Sequence, residues 1–492
     1  MANLTPFLPG ISTKLCGRAP RSEQDKLRDE IERLRRSSLT RLCELFGPWL
    51  PLEIFQPTAR GLNSRERAFP LSLTFWGFLC QVLDPGSPCR EVVRKVQGWY
   101  ARRDHQIPES GTGAYCRARK RLPLELLHQA HEKLAAKLAA APADSGPWKN
   151  RRLLVIDGTG VSMPDTPKNQ QAYPQPSTQK PGCGFPVMKL VGVFCLQTGA
   201  LLRWAKGTLV EHECRLFQRL IEFFVPGDIV LADRGFGGYG QLAALKQRGV
   251  DSVMRIHQRR KVDWRKGRKL GRRDRLVCWQ RPPRQSKVFS EIEWLALPEE
   301  LNLRILRVEV NVAGFRTQHL TLVTTLLDPE LHSAQELGDL YFRRWLVEVF
   351  FRDIKTTMAM DILRCKSPDM IHKELVMHAI AYNLIRAIMV DIATSYQVSL
   401  QRLSFKGTLD ALRQWQPLFE ADRKGVRTSR KMIGHFYQTV AADPLILRPE
   451  RSEPRAVKRR PKNYRLMTKP RHEMVVEPNR KYSQKPSKKA LK

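Results

Sequence analysis

The chain lacks most of the features that would commit it to a membrane, to secretion or to a zinc-stapled fold. No run of about 18 uninterrupted apolar residues, the length that crosses a bilayer, is present. The best stretch, His378 to Ile392, is broken by Asn383, Arg386 and Asp391 and reads as a buried helix. No charged n-region followed by an apolar segment opens the sequence, so a secretory signal is not expected. The 10 cysteines are scattered, with no Cys-x2-Cys pair and no zinc-like Cys/His spacing. That pattern argues for reduced thiols in a cytoplasmic protein and against a structural zinc site. Acid is scarce as well: 48 Asp and Glu stand against 85 Lys and Arg, a net charge of +37. A balance that basic calls for a polyanionic partner, and nucleic acid fits better than a membrane surface. At 492 residues, 42% of them hydrophobic, the chain can bury a large core and form two or three domains.

Texture changes along the chain mark five regions. Residues 1–146 read as helical, with apolar residues at i, i+3 and i+4 in Leu39–Phe55, Pro70–Leu83, Cys89–Arg103 and Leu122–Ala140, separated by Pro, Gly and Ser breaks. Within them, Ser110 to Arg121 is a turn leading into a short basic helix, similar to the entry of a recognition helix. Tyr115, Arg117, Arg119, Lys120 and Arg121 would there be available to DNA; the alternative is a solvated basic helix end. Residues 147–257 alternate strand and helix signals in the order βββαβαβ, with strands at Arg152–Asp157, Met188–Leu196, Leu201–Lys206, Asp228–Asp233 and Asp251–Ile256. Helices are expected between them at Glu211–Phe224 and Gly238–Gly249. This order predicts an α/β fold on a mostly parallel sheet with one hairpin. Residues 258–330 form a basic, β-rich insertion, with strands expected at Glu291–Leu295, Leu303–Val310 and His319–Thr325. Residues 331–440 return to helices. Residues 441–492 form a basic tail too poor in apolar residues to fold alone until it meets a polyanion.

Three acids stand out. Asp157 and Asp233 each close a buried-strand signal, and Glu348 lies on a stripe, Tyr341-x2-Arg344-x3-Glu348-x6-Lys355. On a helix these offsets fall within about a quarter-turn, so one face carries a carboxylate flanked by two cations and a phenol. Three clustered carboxylates repel one another unless divalent cations neutralise them, and oxygen donors suit Mg²⁺ or Mn²⁺. Two such ions about 4 Å apart suit an in-line displacement at phosphorus. Ordinary readings compete: turn residues for the aspartates, and an i,i+4 ion pair for Glu348 with Arg344 or Arg352. Asp165, Asp228, Glu211 and Glu213 are further acids near the same strands. His212 and Cys214 could mimic a ligand cluster, although their i,i+2 spacing points them apart.

These residues resemble the insertion sequence 4 family of bacterial transposases, members of the DDE class. The resemblance covers roughly residues 60–440 and rests on three blocks in order. The first is Val155-Ile-Asp-Gly-Thr159 with Met163–Gln170 and Gln179–Pro186, the second is Leu231-Ala-Asp-Arg-Gly-Phe236, and the third is the Tyr341 to Lys355 stripe. It implies a ribonuclease H-like core holding a β-rich insertion, preceded by a helical DNA-binding domain. It implies a cytoplasmic, nucleoid-associated enzyme that cuts and joins DNA with two Mg²⁺ ions, or Mn²⁺, on Asp157, Asp233 and Glu348. Arg234, Tyr341, Arg344 and Lys355 would contact phosphates of the transposon end. The partners implied are double-stranded DNA and a second copy of the chain, since transposition acts on two ends. The alternatives are a ribonuclease H-like nuclease without strand transfer, or a non-catalytic DNA-binding derivative. In relatives an insertion-domain Trp assists hairpin formation; Trp264, Trp279 and Trp294 are present here, but none lies shortly before the Glu348 helix.

Overall fold

Prolines set the starts of the N-terminal helices. In the computed structural model, which describes residues 42–55, 67–102, 104–142, 148–310, 319–421, 425–446 and the isolated residues 467, 469, 470, 473 and 474, three helices begin directly after a proline. They are α1 (Leu71–Leu83), α2 (Cys89–Ala101) and, after α3 (Gly113–Arg121), α4 (Leu124–Ala139), with Pro70, Pro88 and Pro123 at their N-caps. Proline's fixed φ suits an extended residue before a helix, and its missing N–H leaves no donor to satisfy there. α1 is apolar all round and buried along nearly its whole length, as a core helix should be. α2 buries only Val92, Val93 and Val96. The helix expected over Leu39–Phe55 is shorter: a turn at Leu42–Phe46 and a 3-10 turn at Leu52–Phe55, split where Gly47 and Pro48 interrupt it.

The chain then builds one nine-stranded sheet in the order β3-β2-β1-β4-β5-β9-β8-β7-β6. Its first part comprises β1 (Leu153–Ser162), the short helix α5 (Pro167–Ala172), β2 (Val187–Cys195), β3 (Leu201–Thr208), α6 (Glu213–Gln218), β4 (Ile229–Ala232), α7 (Tyr239–Gln247) and β5 (Asp251–Arg255). β1, β4 and β5 are parallel neighbours, while β1, β2 and β3 form an antiparallel meander. Leu153 to Ile156 and Ile229 to Ala232 are fully buried runs, the pattern of strands covered on both faces.

The basic insertion is no separate sheet. After β6 (Arg268–Gly271) and β7 (Asp274–Gln280) come the helix α8 (Glu291–Leu295), β8 (Glu300–Glu309) and β9 (His319–Thr324), and β9 pairs antiparallel with β5. The insertion thereby continues the central sheet from its open edge. Arg304 on β8 is 1% exposed and donates through Nε to Asp274 of β7 at 2.9 Å. The strand expected at Glu291–Leu295 is instead helical. Ser290 and Glu293 form a reciprocal capping box, a local signal that outweighs the two-residue alternation of a five-residue segment. Trp294 on that turn packs against Tyr239 and Phe289 in the core.

The C-terminal helices are α9 (Ala334–Phe342), α10 (Leu346–Arg352), α11 (Pro368–Tyr396), α12 (Phe405–Ala421) and α13 (Gly425–Ala441). The chain divides into two units, residues 1–144 with 376–445 and residues 145–375 with 446–492. The helical stretch after Leu375 thus groups with the N-terminal helices, where the sequence reading had put it with the core. α11 is long and apolar enough to cross a membrane, but 94% of its apolar window is buried. In the first unit Asp391 of α11 accepts from Trp49 Nε1 at 2.8 Å and from the Tyr437 hydroxyl at 3.2 Å. Residues 39–41, most of the 141–147 linker and nearly all of the tail lie outside the described residues.

Candidate active site

Sheet register brings Asp157 and Asp233 together. β1 pairs with β4 only from Leu153 opposite Ile229 to Ile156 opposite Ala232. The next residue of each chain is an aspartate, so both acids stand at the carboxyl edge of a parallel pair, where α/β folds place ligands. β1 does not end at Asp157 as the sequence suggested. It runs on to Ser162 because β2 stays hydrogen-bonded alongside, with Asp157 opposite Gly192. Only the parallel pairing stops there. Burial pushes the Asp157 carboxyl up to about 6, and the charges of Asp233 and Glu213 push the same way. The Gly158 amide, which donates to Asp157 Oδ1 at 2.8 Å, and the Arg344 guanidinium oppose the shift.

The residues between Ala334 and Thr357 carry the rest of the constellation. Ser333 and Glu336 form a capping box that starts α9. The helical path is less uniform than a 3.6-residue period assumes. It tightens into a 3-10 turn at Arg343–Trp345 and widens into a π turn at Asp353–Thr357. Val347, Phe350, Phe351 and Ile354, at i, i+3, i+4 and i+7, are buried. The Phe350 and Phe351 rings lie 5.6 and 5.0 Å from that of Phe194 on β2. A side chain at Gly192 would lie 3.1 Å from the Phe351 ring, so the glycine opposite Asp157 lets α10 press onto the sheet. Further on, Ser162 N donates to Asp361 O and Leu363 N to Ser162 O, both at 2.9 Å, tying the chain after the π turn to the end of β1. That tether brings Lys355 Nζ 2.9 Å from Thr159 Oγ1.

Arg344 links the two halves of the site. Its Nη1 lies 3.8 Å from Asp157 Oδ2 and its Nη2 3.4 Å from Glu348 Oε1, with its side chain 11% exposed. The i,i+4 pair that competed with a functional reading of Glu348 therefore exists, and the same guanidinium also reaches the first aspartate. Burial alone would weaken its charge, but Tyr341, Asp233, Asp157 and Glu348 more than offset that and hold it protonated. Tyr341 is 4% exposed, and its hydroxyl lies near Arg344 without a well-aligned hydrogen bond. Burial pushes this phenol well above its ordinary range, while Arg344 and Arg255 pull it back. Among the described residues, no three His, Cys, Asp or Glu side chains converge into a ready-made metal cage.

Other expected residues fall differently. Arg234 is exposed and donates to Gln258 Oε1 at 2.7 Å. On α3, Tyr115, expected to be available to DNA, is fully buried with its hydroxyl 3.0 Å from Gln81 Oε1, because the basic helix needs an apolar side to pack. Arg119 turns inward too, donating to Gln81 Oε1 at 3.2 Å and lying over the Phe78 and Tyr115 rings. Arg117 and Lys120 are exposed and Arg121 is half-buried. The competing acids have structural partners: Asp228 takes two bonds from Arg152 at 2.8 and 2.7 Å, and Asp165 accepts from Gln170 at 2.8 Å. His212 caps α6, and the Cys214 thiol donates to Gly235 O at 3.1 Å. Trp279 stacks under Arg260 at 3.7 Å, and Trp264 lies 5.3 Å from Arg307. Arg255 and Thr159 escaped the sequence reading. Arg255 ends β5 one step past the pairing of Ala232 with Met254, level with Asp233. A strand alignment of β4 with β5 would have found it.

Asp157 and Asp233 stand side by side at a parallel strand edge and Arg344 spans Asp157 and Glu348; residues 148–384 match the family described as Transposase DDE domain. The chain is 28% identical over 437 residues to the transposase InsG of insertion sequence element IS4 from Escherichia coli (strain K12), covering 87% of this chain and 94% of that protein. It is 24% identical over 295 residues to the transposase for insertion sequence element IS421 from Escherichia coli, covering 52% of this chain and 70% of the relative. A similar solved structure is a piggyBac transposase synaptic complex with hairpin DNA, at TM-score 0.39 and 9% identity, covering 82% of this chain and 84% of that one. The domain match and the 28% identity across 87% of the chain support an insertion sequence 4 family DDE transposase.

Proposed function

We propose that this DNA transposase works by cut-and-paste, with Asp157, Asp233 and Glu348 as the catalytic acids of a ribonuclease H-like core. The observation that carries the reading is the register that sets Asp157 beside Asp233, with Arg344 spanning Asp157 and Glu348. The donors fit a hard divalent cation. All are carboxylate oxygens, the donor type that hard divalent cations take, and Arg344 marks the place between Asp157 and Glu348 where positive charge is accommodated. Asp157, Asp233 and Glu348 would hold divalent cations such as Mg²⁺ or Mn²⁺ (a pair in the DDE class), which would supply activation of the attacking water or 3′-hydroxyl and charge stabilisation of the leaving oxygen.

The remaining work falls to the chain's own groups. Asp157 and Asp233 hold the cation site, and Glu348 completes it from α10. The buried Tyr341 hydroxyl, with no well-aligned hydrogen bond, and the half-buried Lys355 ammonium offer donors to phosphate oxygens. Arg344 exchanges carboxylate for phosphate as DNA enters, and Arg234 adds an exposed cation after the second acid. The N-terminal helical unit binds the terminal inverted repeats, with Arg117, Lys120 and Arg121 on the outside of α3. The active species is a homodimer joining two ends, and the chain's net charge of +37 makes its binding strongly salt-dependent. The test is incubation with Mg²⁺, end-sequence DNA and a target plasmid. Cleaved ends joined to plasmid are expected; cleavage with no joined product would replace strand transfer by simple nuclease action.

A further inference from the structure

We propose that Glu213 is a positioning residue of the acidic site, backing Asp157 from behind β1 and strengthening its hold on a divalent cation. The proposal rests on the reading of Asp157 and Asp233 as cation ligands. Glu213 opens α6, and two contacts fix that turn: His212 Nδ1 accepts from Cys214 N at 3.2 Å, and the Cys214 thiol donates to Gly235 O, two residues beyond Asp233. The Glu213 carboxylate lies against Gly158. A Cβ built there would sit 2.6 Å from its Cδ and Oε1 and 2.9 Å from its Oε2. Gly158 is also the residue whose amide holds Asp157 Oδ1. Neighbouring side chains on a strand point to opposite faces, so Glu213 stands behind Asp157 and is not itself a ligand.

Among the described residues no hydrogen bond or ion pair reaches the half-buried Glu213 carboxylate, although the chain carries 85 Lys and Arg; Glu211, two residues earlier, is paired with Arg219. A carboxylate held on the far side of the strand from Asp157 adds negative field to that of the first acid. Glycine at 158, with no side chain in the way, admits that carboxylate. The field of Glu213 therefore adds to the attraction at the front of the strand, as outer groups do around metal ligands.

The probe is Mn²⁺ titrated into the full-length protein without DNA, with free Mn²⁺ read by electron paramagnetic resonance and folding checked by thermal melting. Glu213→Gln keeps the shape and removes the charge; it is expected to weaken Mn²⁺ affinity about tenfold with the melting transition intact. Gly158→Ala, which drives a methyl group into the carboxylate, is expected to weaken it as well. Glu222→Gln removes the same charge from an exposed position further along and should leave affinity unchanged. Wild-type affinity in Glu213→Gln, while Asp157→Asn and Asp233→Asn lose Mn²⁺, overturns the proposal and leaves the cation site standing. An equal loss in Glu222→Gln also overturns it, by reducing the effect to net charge. Retention of Mn²⁺ by all the variants, Asp157→Asn and Asp233→Asn included, would remove the cation site itself.

Discussion

Replacing Asp157 by Asn measures how much stability the acid costs the fold. In the folded chain this carboxyl titrates near 6, raised from an ordinary 3.8, mainly by burial. Above pH 6 it is charged in both folded and unfolded chains, and the folded state carries the penalty. Below the unfolded value it is neutral in both, and the penalty vanishes. A raised folded value means stability present at low pH and lost as pH rises through about 6. The shift of about 2 units, at 1.36 kcal/mol each, sets an upper bound of about 3 kcal/mol. Asn is neutral throughout and nearly the same shape. Asp157→Asn should therefore be more stable than the parent at pH 7.5 in chelator, with a melting temperature higher by roughly 2–4 °C per kcal/mol. The advantage should shrink between pH 6 and 4 and disappear below. Adding Mg²⁺ should raise the melting temperature of the parent and not of the variant. A variant no more stable than the parent at pH 7.5, or one whose advantage persists at pH 3.5, would refute the reasoning.

Other consequences follow from single contacts. Tyr341→Phe deletes a buried hydroxyl that makes no well-aligned hydrogen bond. It should be neutral or stabilising by up to about 1 kcal/mol in thermal melts yet weaken binding to end DNA in mobility-shift titrations. Lys355→Ala breaks the bond to Thr159 and removes a cation beside the site. It should weaken end complexes more than it alters Mn²⁺ affinity, and the reverse order would take Lys355 out of the phosphate-binding role. Asp274→Ala removes the carboxylate paired with the buried Arg304 guanidinium, leaving its bond to His332 O, and should cost about 3–5 kcal/mol in chemical denaturation.

Parts of the candidate site were legible because their markers are local. Buried runs ending in Asp located both aspartates, and the helical spacing from Tyr341 to Lys355 put four polar groups on one side. What escaped depends on pairing. Asp157 looked like the end of a strand because Gly158, Thr159 and Gly160 interrupt the apolar run, yet β2 carries β1 on to Ser162. Arg255 and Thr159 gain their places only through the register of β5 and the tether of Leu363 to Ser162. The same limit applied to the insertion. Its alternating pattern revealed β8 and β9 but not that β9 would close onto β5, and at Glu291–Leu295 the alternation lost to a capping box. On α3 a run of cations concealed that Tyr115 and Arg119 face inward.

The central claim is that Asp157, Asp233 and Glu348 form one catalytic set. It is tested most directly by changing each to Ala and assaying cleavage of end-sequence DNA with Mg²⁺ alongside end binding. The account predicts that each single change abolishes cleavage while the end complex still forms. Full cleavage by all three variants would contradict it.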